Sequence, residues 1–367
     1  MPFLNLYPKE IGFNMLKNFR YPLGILFSNT LIGPYEVQLD IIHKCNLASC
    51  VTCWFYSPYR KKKISKKWVE QTLDFESFKS LVDSIKKIRT TQISIIGEGE
   101  PFLHKNIMEM LSYIKESKMK CKVITNGTLL TDKKIHELAN IGVDEINISI
   151  NAGTASTFYK VNPKSPKRIF EKLRENIILF SQYENRPIIT FSNVISNINY
   201  LEIEKMLDFG IECKADRIYF KILDTFSEIE KLTLNDEQKM EMIDSIMKID
   251  KFKMKNMKNN LNEFMQFCLN HEKAVEETPC YMGYVFSRIK DSKYVVPCCG
   301  CYTNPIGKIS NNKSFEKIWK SKKYSAFRKN VFNQKRREKA GCECHQCPHF
   351  TENKKLDKLF KFIKILK

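Results

Sequence analysis

The chain has 367 residues, a formal net charge of +20, and 43% hydrophobic and 12% aromatic residues, which is more length than one average domain needs and enough apolar material for a large core. No N-terminal stretch reads as a signal peptide and no apolar run approaches the roughly 20 residues that span a bilayer, so a cytoplasmic setting is expected. The basic balance admits an anionic partner, but lysines are spread along the chain and no aromatic-plus-basic motif accompanies them, which argues against nucleic acid. Thirteen cysteines in a reducing compartment argue for metal binding over disulfides.

Residues 1–34 read as an extension ahead of the first strand. Six β-like runs follow: Glu36 to Ile42, Gln92 to Ile96, Cys121 to Thr125, Glu145 to Ile150, Ile188 to Ile195 and Arg217 to Ile222. Between them lie amphipathic helix-like runs, Phe75 to Ile88, Asn106 to Glu116, Asp132 to Asn140, Lys167 to Ser181 and Tyr200 to Phe209. Strict alternation of this kind predicts an α/β fold with parallel pairing, and right-handed crossovers would curl the sheet into an open or closed barrel. Active groups then gather where the strands end. Cys45, Cys50 and Cys53 fall in the first such loop, Gly97-Glu98-Gly99-Glu100-Pro101 in the second, Asn126-Gly127-Thr128 in the third and Asn151-Ala152-Gly153 in the fourth. Lys221 and Asp224 close the sixth strand and would face the cavity or serve as ordinary rim charges. Asn126 to Thr128 also matches a glycosylation acceptor, which has no meaning in this setting. The basic stretch Arg60 to Lys67 could form a lid.

Past residue 225 a helical connector is expected over 226–279, then a cysteine-rich unit over 280–350 with Cys280, Cys298, Gly307, the Ile318-Trp319 pair and Cys344-His345-Gln346-Cys347. Two thiolate nests point to iron–sulfur chemistry, and a nest of three leaves one iron of a 4Fe–4S cube open to a small molecule. Structural zinc is the competing reading, with His345 or Cys342 completing the C-terminal set. Cys299, Cys301 and Cys342 are left over as alternative ligands, while Cys121, Cys213 and Cys268 read as small buried apolar groups. His104, His136 and His271 lack metal-ligand spacing, and His349, although close behind Cys347, is not needed once four thiolates are assigned; all four read as structural. Over 351–367 a basic amphipathic helix carries Leu356, Leu359, Phe360, Ile363 and Leu366 at helical spacing; it either packs across the barrel, the reading we favour, or lies on an anionic membrane surface.

From Glu36 to about Asp224 these residues resemble the radical S-adenosylmethionine enzymes, whose fold is a partial (β/α)6 TIM-like barrel with a three-cysteine loop after its first strand. The resemblance implies that Cys45, Cys50 and Cys53 hold a 4Fe–4S cluster, that S-adenosyl-L-methionine occupies the fourth iron, and that reductive cleavage yields a 5'-deoxyadenosyl radical which abstracts hydrogen. It makes Trp54, Gly97, Gly99, Glu100, Pro101, Asn126, Ser149, Asn151 and Asn193 cofactor contacts. The spacing departs from the family: Asn46, Leu47, Ala48 and Ser49 make four residues between the first two cysteines where three are usual, and the aromatic normally before the third cysteine is Thr52, with Trp54 following instead. The C-terminal unit resembles the SPASM or twitch extension, and on that resemblance Cys280, Cys298, Cys344 and Cys347 hold an auxiliary 4Fe–4S cluster.

An auxiliary cluster with four protein ligands favours electron transfer, hence an oxidoreductase-type dehydrogenation or bond formation. An external one-electron reductant such as flavodoxin or ferredoxin is implied. Only about 35 residues precede the first strand, so no fused peptide-recognition domain is expected. That favours a small metabolite or carbohydrate-like substrate and leaves open a peptide delivered by a partner. Two alternatives remain: an epimerase in which Cys299, Cys301 or Cys342 returns a hydrogen atom, and a non-catalytic iron–sulfur or zinc-binding scaffold.

Overall fold

The computed structural model describes residues 20–27, 29–223, 227–332, 340–342, 344, 347 and 349–360. Asp224, His345, Gln346, the helix residues from 361 onward and the side chain of His271 lie outside the described residues. In chain order the main elements are α1 (Arg20–Leu26), β1 (Glu36–Asp40), α2 (Lys66–Val69), α3 (Phe75–Lys87), β2 (Gln92–Ile96), α4 (Ile107–Glu116), β3 (Lys120–Thr125), α5 (Asp132–Ile141), β4 (Glu145–Ser149), α6 (Ala155–Val161), α7 (Ile169–Phe180), β5 (Ile188–Ile195), α8 (Ile203–Glu212) and β6 (Arg217–Ile222). They continue with α9 (Asp236–Met247), α10 (Lys251–Asn256), α11 (Leu261–Glu277), α12 (Met282–Val285), β7 (Phe286–Ile289), β8 (Tyr294–Val296), β9 (Gly307–Lys308), α13 (Phe315–Trp319), α14 (Lys322–Phe332) and α15 (Phe350–Leu359).

Local chemistry explains these boundaries. Helix α3 starts where the Asp74 side chain accepts the Ser77 N–H, and it buries Phe78, Leu81, Val82 and Ile85, one stripe of a 3.6-residue period. Helix α5 is capped by Thr131 and stops at Gly142, which adopts the left-handed conformation at φ 73°. Along the strands, Val37, Leu39, Ile93, Ile95, Cys121, Val123, Ile146 and Ile148 are fully buried and belong to the main core. The alternate positions carry polar groups joined to one another: Ser94 donates to Glu36 at 2.7 Å, Thr190 to Glu145 at 3.0 Å and Ser192 to Asn147 at 2.7 Å. A period of two therefore gives each strand one face against the helices and one face lining a polar interior.

Strands β1 to β6 are all parallel neighbours in sequence order, the expected open barrel sheet. Sequence reading did not anticipate the other side of β1. There β7 pairs parallel with β1, Glu36 opposite Phe286, and β8 and β9 follow antiparallel, so one nine-stranded sheet runs through both halves of the chain. Behind this hairpin Trp319 donates its indole N–H to the Ile32 carbonyl at 2.9 Å. Arg328, buried beneath, donates to the carbonyls of Gly283 and Trp319, both at 2.8 Å. Gly307 lies against Ile318, at 3.5 Å from where its Cβ would be. Helix α15 packs on the body: Phe360 is fully buried beside Tyr281, whose hydroxyl donates to Asp357 at 2.9 Å.

Candidate functional site

The loop after β1 is seated by backbone. Gly99 donates its N–H to the Ile42 carbonyl at 3.1 Å and Glu100 to that of Lys44 at 2.8 Å. A Cβ on Gly99 would fall 2.1 Å from the Lys44 oxygen, and one on Gly97 2.7 Å from that of Ile42. These glycines are required because the incoming cysteine loop crosses directly over them. Further along, the Val51 N–H donates to Val161 at 2.9 Å, Lys164 donates to the Ser49 hydroxyl at 3.2 Å, and the Ser57 hydroxyl donates to Val51 at 2.7 Å. The residue added between Cys45 and Cys50 is accommodated with Ala48 at φ 41°.

Cys50 and Cys53 share a turn, the Cys53 N–H donating to the Cys50 carbonyl at 3.0 Å. The N–H groups of Phe55 and Tyr56 donate to the Cys53 sulfur at 3.4 and 3.3 Å. Burial pushes all three thiols up; at Cys50 the charges of Cys53 and Cys45 push further in the same direction. Three half-buried thiols that resist ionisation fit an iron–sulfur cluster, whose irons would relieve that penalty.

The rest of the rim is knitted to this loop. Glu100, fully buried, accepts the Thr125 hydroxyl at 2.6 Å and the Phe102 N–H at 3.0 Å on one oxygen, and the Asn126 N–H at 2.8 Å on the other. Its carboxylate thus ties the loop after β2 to the end of β3. The Asn126 amide donates to the Asn46 side chain at 2.9 Å and lies 4.0 Å from the Cys45 sulfur, while Asn46 donates to the Thr128 hydroxyl at 2.8 Å. Ser149 ends β4 on the interior face opposite Ser192. Asn151, at φ 59°, accepts the Val194 N–H at 2.7 Å through its side chain. Sequence reasoning missed Asn46, Thr125 and Tyr56, whose hydroxyl donates to the His43 carbonyl at 2.6 Å; a polar residue directly after Cys45 was the available signal for the first.

One predicted contact, Asn193, is placed elsewhere. Asn193 is 1% exposed with neither amide atom hydrogen-bonded. It shares the helix-side face of β5 with Phe191, which stacks on Phe209, rather than the face of Thr190 and Ser192. Strand alternation turns it from the interior. Trp54 is 38% exposed, and the adjacent Phe55 packs inward, stacked on Trp68 at 5.1 Å and edge-on to Tyr302 at 6.1 Å. Lys221 occupies an interior-facing position on β6, in register with Val194.

Between this rim and the C-terminal hairpin lies a buried ionic cluster. Arg288 of β7 donates to both oxygens of Asp40 at 2.7 Å, and Glu98 lies 3.9 Å from Arg288 and 3.5 Å from His43. Burial, then the Asp40 charge, raises the Glu98 carboxyl to about 7 against the opposing Arg288. His43 is held above its usual range because Asp291, 3.0 Å away, outweighs the effect of burial.

Cys280, Cys298, Cys301, Cys342, Cys344 and Cys347 line one pocket, closed on its other sides by Val275, Phe327, Val331 and Phe350. Burial pushes the Cys347 thiol well up, and the charges of Cys280, Cys298 and Cys344 add to this. The four assigned cysteines are thus together, and apolar walls with thiol donors fit a cluster. Among the described residues no three His, Cys, Asp or Glu side chains are close enough to share a single metal ion. One expectation is corrected: Cys301 and Cys342 form a disulfide, although cysteine usage argued against any. Cys299 turns to Gln38 of β1, 3.9 Å away. His349, read as structural, lies against Cys298 and Cys299, whose charges raise its imidazole well above the usual range despite burial. Cys121 and Cys213 are buried in the core and Cys268 packs against it.

The sequence matches the radical SAM superfamily over residues 39–210 and the SPASM iron–sulfur cluster-binding domain over residues 278–348. Among curated relatives, the tungsten-containing aldehyde ferredoxin oxidoreductase cofactor-modifying protein of Pyrococcus furiosus is 23% identical over 80% of this chain and 82% of its own length. The S-adenosylmethionine-dependent nucleotide dehydratase of Selenomonas ruminantium is 25% identical over 45% of this chain and 58% of its own, and the PqqA peptide cyclase of Rhizobium meliloti 23% over 51% and 47%. The chain thus spans about half the length of these last two. Among solved structures, SuiB of Streptococcus suis superposes with a TM-score of 0.63 at 18% identity, covering 86% of this chain and 73% of that one. The structure of anSMEcpe with bound AdoMet gives 0.60 at 13%, covering 91% and 100%; both likenesses speak to the fold. With both domains matched in order on one continuous sheet, the chain is a radical SAM protein with a C-terminal SPASM domain, a family that works with 4Fe–4S clusters and S-adenosylmethionine.

Proposed function

We propose that the chain is an oxidoreductase-type radical S-adenosylmethionine enzyme, with its barrel core over 35–225 and its auxiliary-cluster unit over 280–350. Cys45, Cys50 and Cys53 would hold the cofactor-cleaving cluster and Cys280, Cys298, Cys344 and Cys347 the auxiliary one. The observation that carries this reading is the cysteine loop itself, seated on Gly97 and Gly99 and tied through Asn46 to Asn126 on the same rim. When bound, the reduced cluster and S-adenosylmethionine supply reductive carbon–sulfur cleavage and the hydrogen abstraction that follows.

The protein's own groups prepare that site. The N–H donors of Phe55 and Tyr56 stabilise a thiolate at Cys53. Glu100 fixes the second rim loop against β3, so that backbone groups of residues 97–101, Asn126, Ser149 and Asn151 can bind the cofactor; Asn193 is no longer a contact we propose. Phe55 meets Tyr302 edge-on at 6.1 Å, which joins the cluster loop to the auxiliary unit.

Dehydrogenation or bond formation on a peptide or small molecule fits a second, fully ligated cluster that accepts an electron from the substrate. A peptide gains weight from the relative named as a peptide cyclase; a small molecule gains it from the nucleotide dehydratase. The test is 5'-deoxyadenosine release from the reconstituted, reduced protein, first alone and then with candidate substrates. Release that survives removal of Cys45, Cys50 and Cys53 would refute the assignment.

A further inference from the structure

Six cysteines line the auxiliary pocket, yet a 4Fe–4S cube has four irons and takes four cysteine ligands. Six available thiolates would compete, and the cluster could form on more than one set. The disulfide removes two of the six. Its partners are not remote from the ligands: the Cys301 N–H donates to the Cys298 carbonyl at 3.1 Å, and the Cys344 N–H to that of Cys342 at 2.9 Å. Each half of the pair is therefore one hydrogen-bonded turn from an assigned ligand. Closing the bond joins, across 41 residues, the segment that brings Cys298 to the segment that brings Cys344 and Cys347. Cys299, the remaining neighbour, points away toward Gln38.

We propose that Cys301 and Cys342 are a redox-controlled pair that sets the ligand choice of the auxiliary pocket: as a disulfide they leave four thiolates for the cluster, and as a dithiol they offer two more. The proposal rests on the reading that Cys280, Cys298, Cys344 and Cys347 hold that cluster. Forming the bond takes two protons and two electrons from the two thiols. The oxidant is a low-molecular-weight or protein disulfide, whose own sulfur–sulfur bond breaks through a mixed disulfide and leaves as two thiols carrying those protons and electrons. A disulfide among thiols that must stay reduced to bind iron is of the exchangeable kind rather than a purely structural one.

The test uses the full chain with clusters loaded anaerobically and then held anaerobically with oxidised glutathione. After acid denaturation, alkylation with iodoacetamide and digestion, mass spectrometry should find the Cys301 and Cys342 peptides linked and the four assigned cysteines alkylated. Reduction with a phosphine before alkylation should add two alkylated thiols per chain, at those two positions. The double variant Cys301→Ser, Cys342→Ser should retain about eight irons per chain, as two clusters require. Alkylated Cys301 and Cys342 in the loaded, unreduced chain would overturn the proposal, and so would a fall to about four irons in the double variant. Iron in the unaltered chain tests the cluster reading, whereas the linked peptide and the variant's iron test the pair, so the two failures are told apart.

Discussion

Arg288 and Asp40, 248 positions apart in sequence, form a two-pronged ion pair at 2.7 Å on each prong, joining the strand that the SPASM unit adds to the strand that launches the cysteine loop. Asp40 is fully buried, and Arg288 is the charge that faces it.

Replacing one member of a buried pair leaves the other uncompensated. Asp40→Asn should cost about 3 kcal/mol of stability, read by chemical denaturation of the anaerobic protein. Arg288→Met together with Asp40→Leu should recover much of that loss, because removing both charges removes the penalty.

Gly99→Ala is expected to displace the cysteine loop, since the new methyl would collide with the backbone of Lys44 and not with a yielding side chain. Iron analysis should show the loss of about four irons with the auxiliary cluster retained. Retention of both clusters would mean that the loop tolerates the intrusion.

Glu98 should make stability depend on pH. Its carboxyl titrates near 7 in the folded chain against an ordinary 4.5, so the folded state binds its proton more tightly than the unfolded state does. The stabilisation is full below the lower value and is lost as pH rises through the upper one, a change on the order of 3 kcal/mol. Glu98→Gln keeps a neutral group at every pH. Denaturation at about pH 5 and about pH 8 should therefore show the variant gaining on the parent at the higher pH; a constant gap would contradict this.

Ala48 holds a left-handed conformation that favours glycine. Ala48→Gly should leave iron binding intact and raise stability by roughly 0.5 kcal/mol, measured in the same denaturation experiment.

The barrel was legible because each of its strands and helices buries one face, and the two periods alternate from Glu36 to Ile222. The β7–β9 hairpin was not: Phe286 to Ile289 is four residues long, and its partner Glu36 lies 250 positions earlier, so only tertiary pairing reveals it. At the site, the cysteines and Gly97 to Pro101 could be read from type and spacing. The role of the glycines could not, because the atom each must avoid belongs to a loop 55 residues earlier. Asn193 was misplaced for want of strand parity, which becomes visible once Phe191 is seen on Phe209.

The most direct test of the account is 5'-deoxyadenosine formation after anaerobic reconstitution, dithionite reduction and addition of S-adenosylmethionine, read together with iron and labile sulfide per chain. The account predicts about eight irons, with nucleoside release that disappears when Cys45, Cys50 and Cys53 are changed to alanine and persists when Cys280, Cys298, Cys344 and Cys347 are. No release under any reductant, from protein carrying its full iron, would contradict it and leave a cluster-binding scaffold in its place.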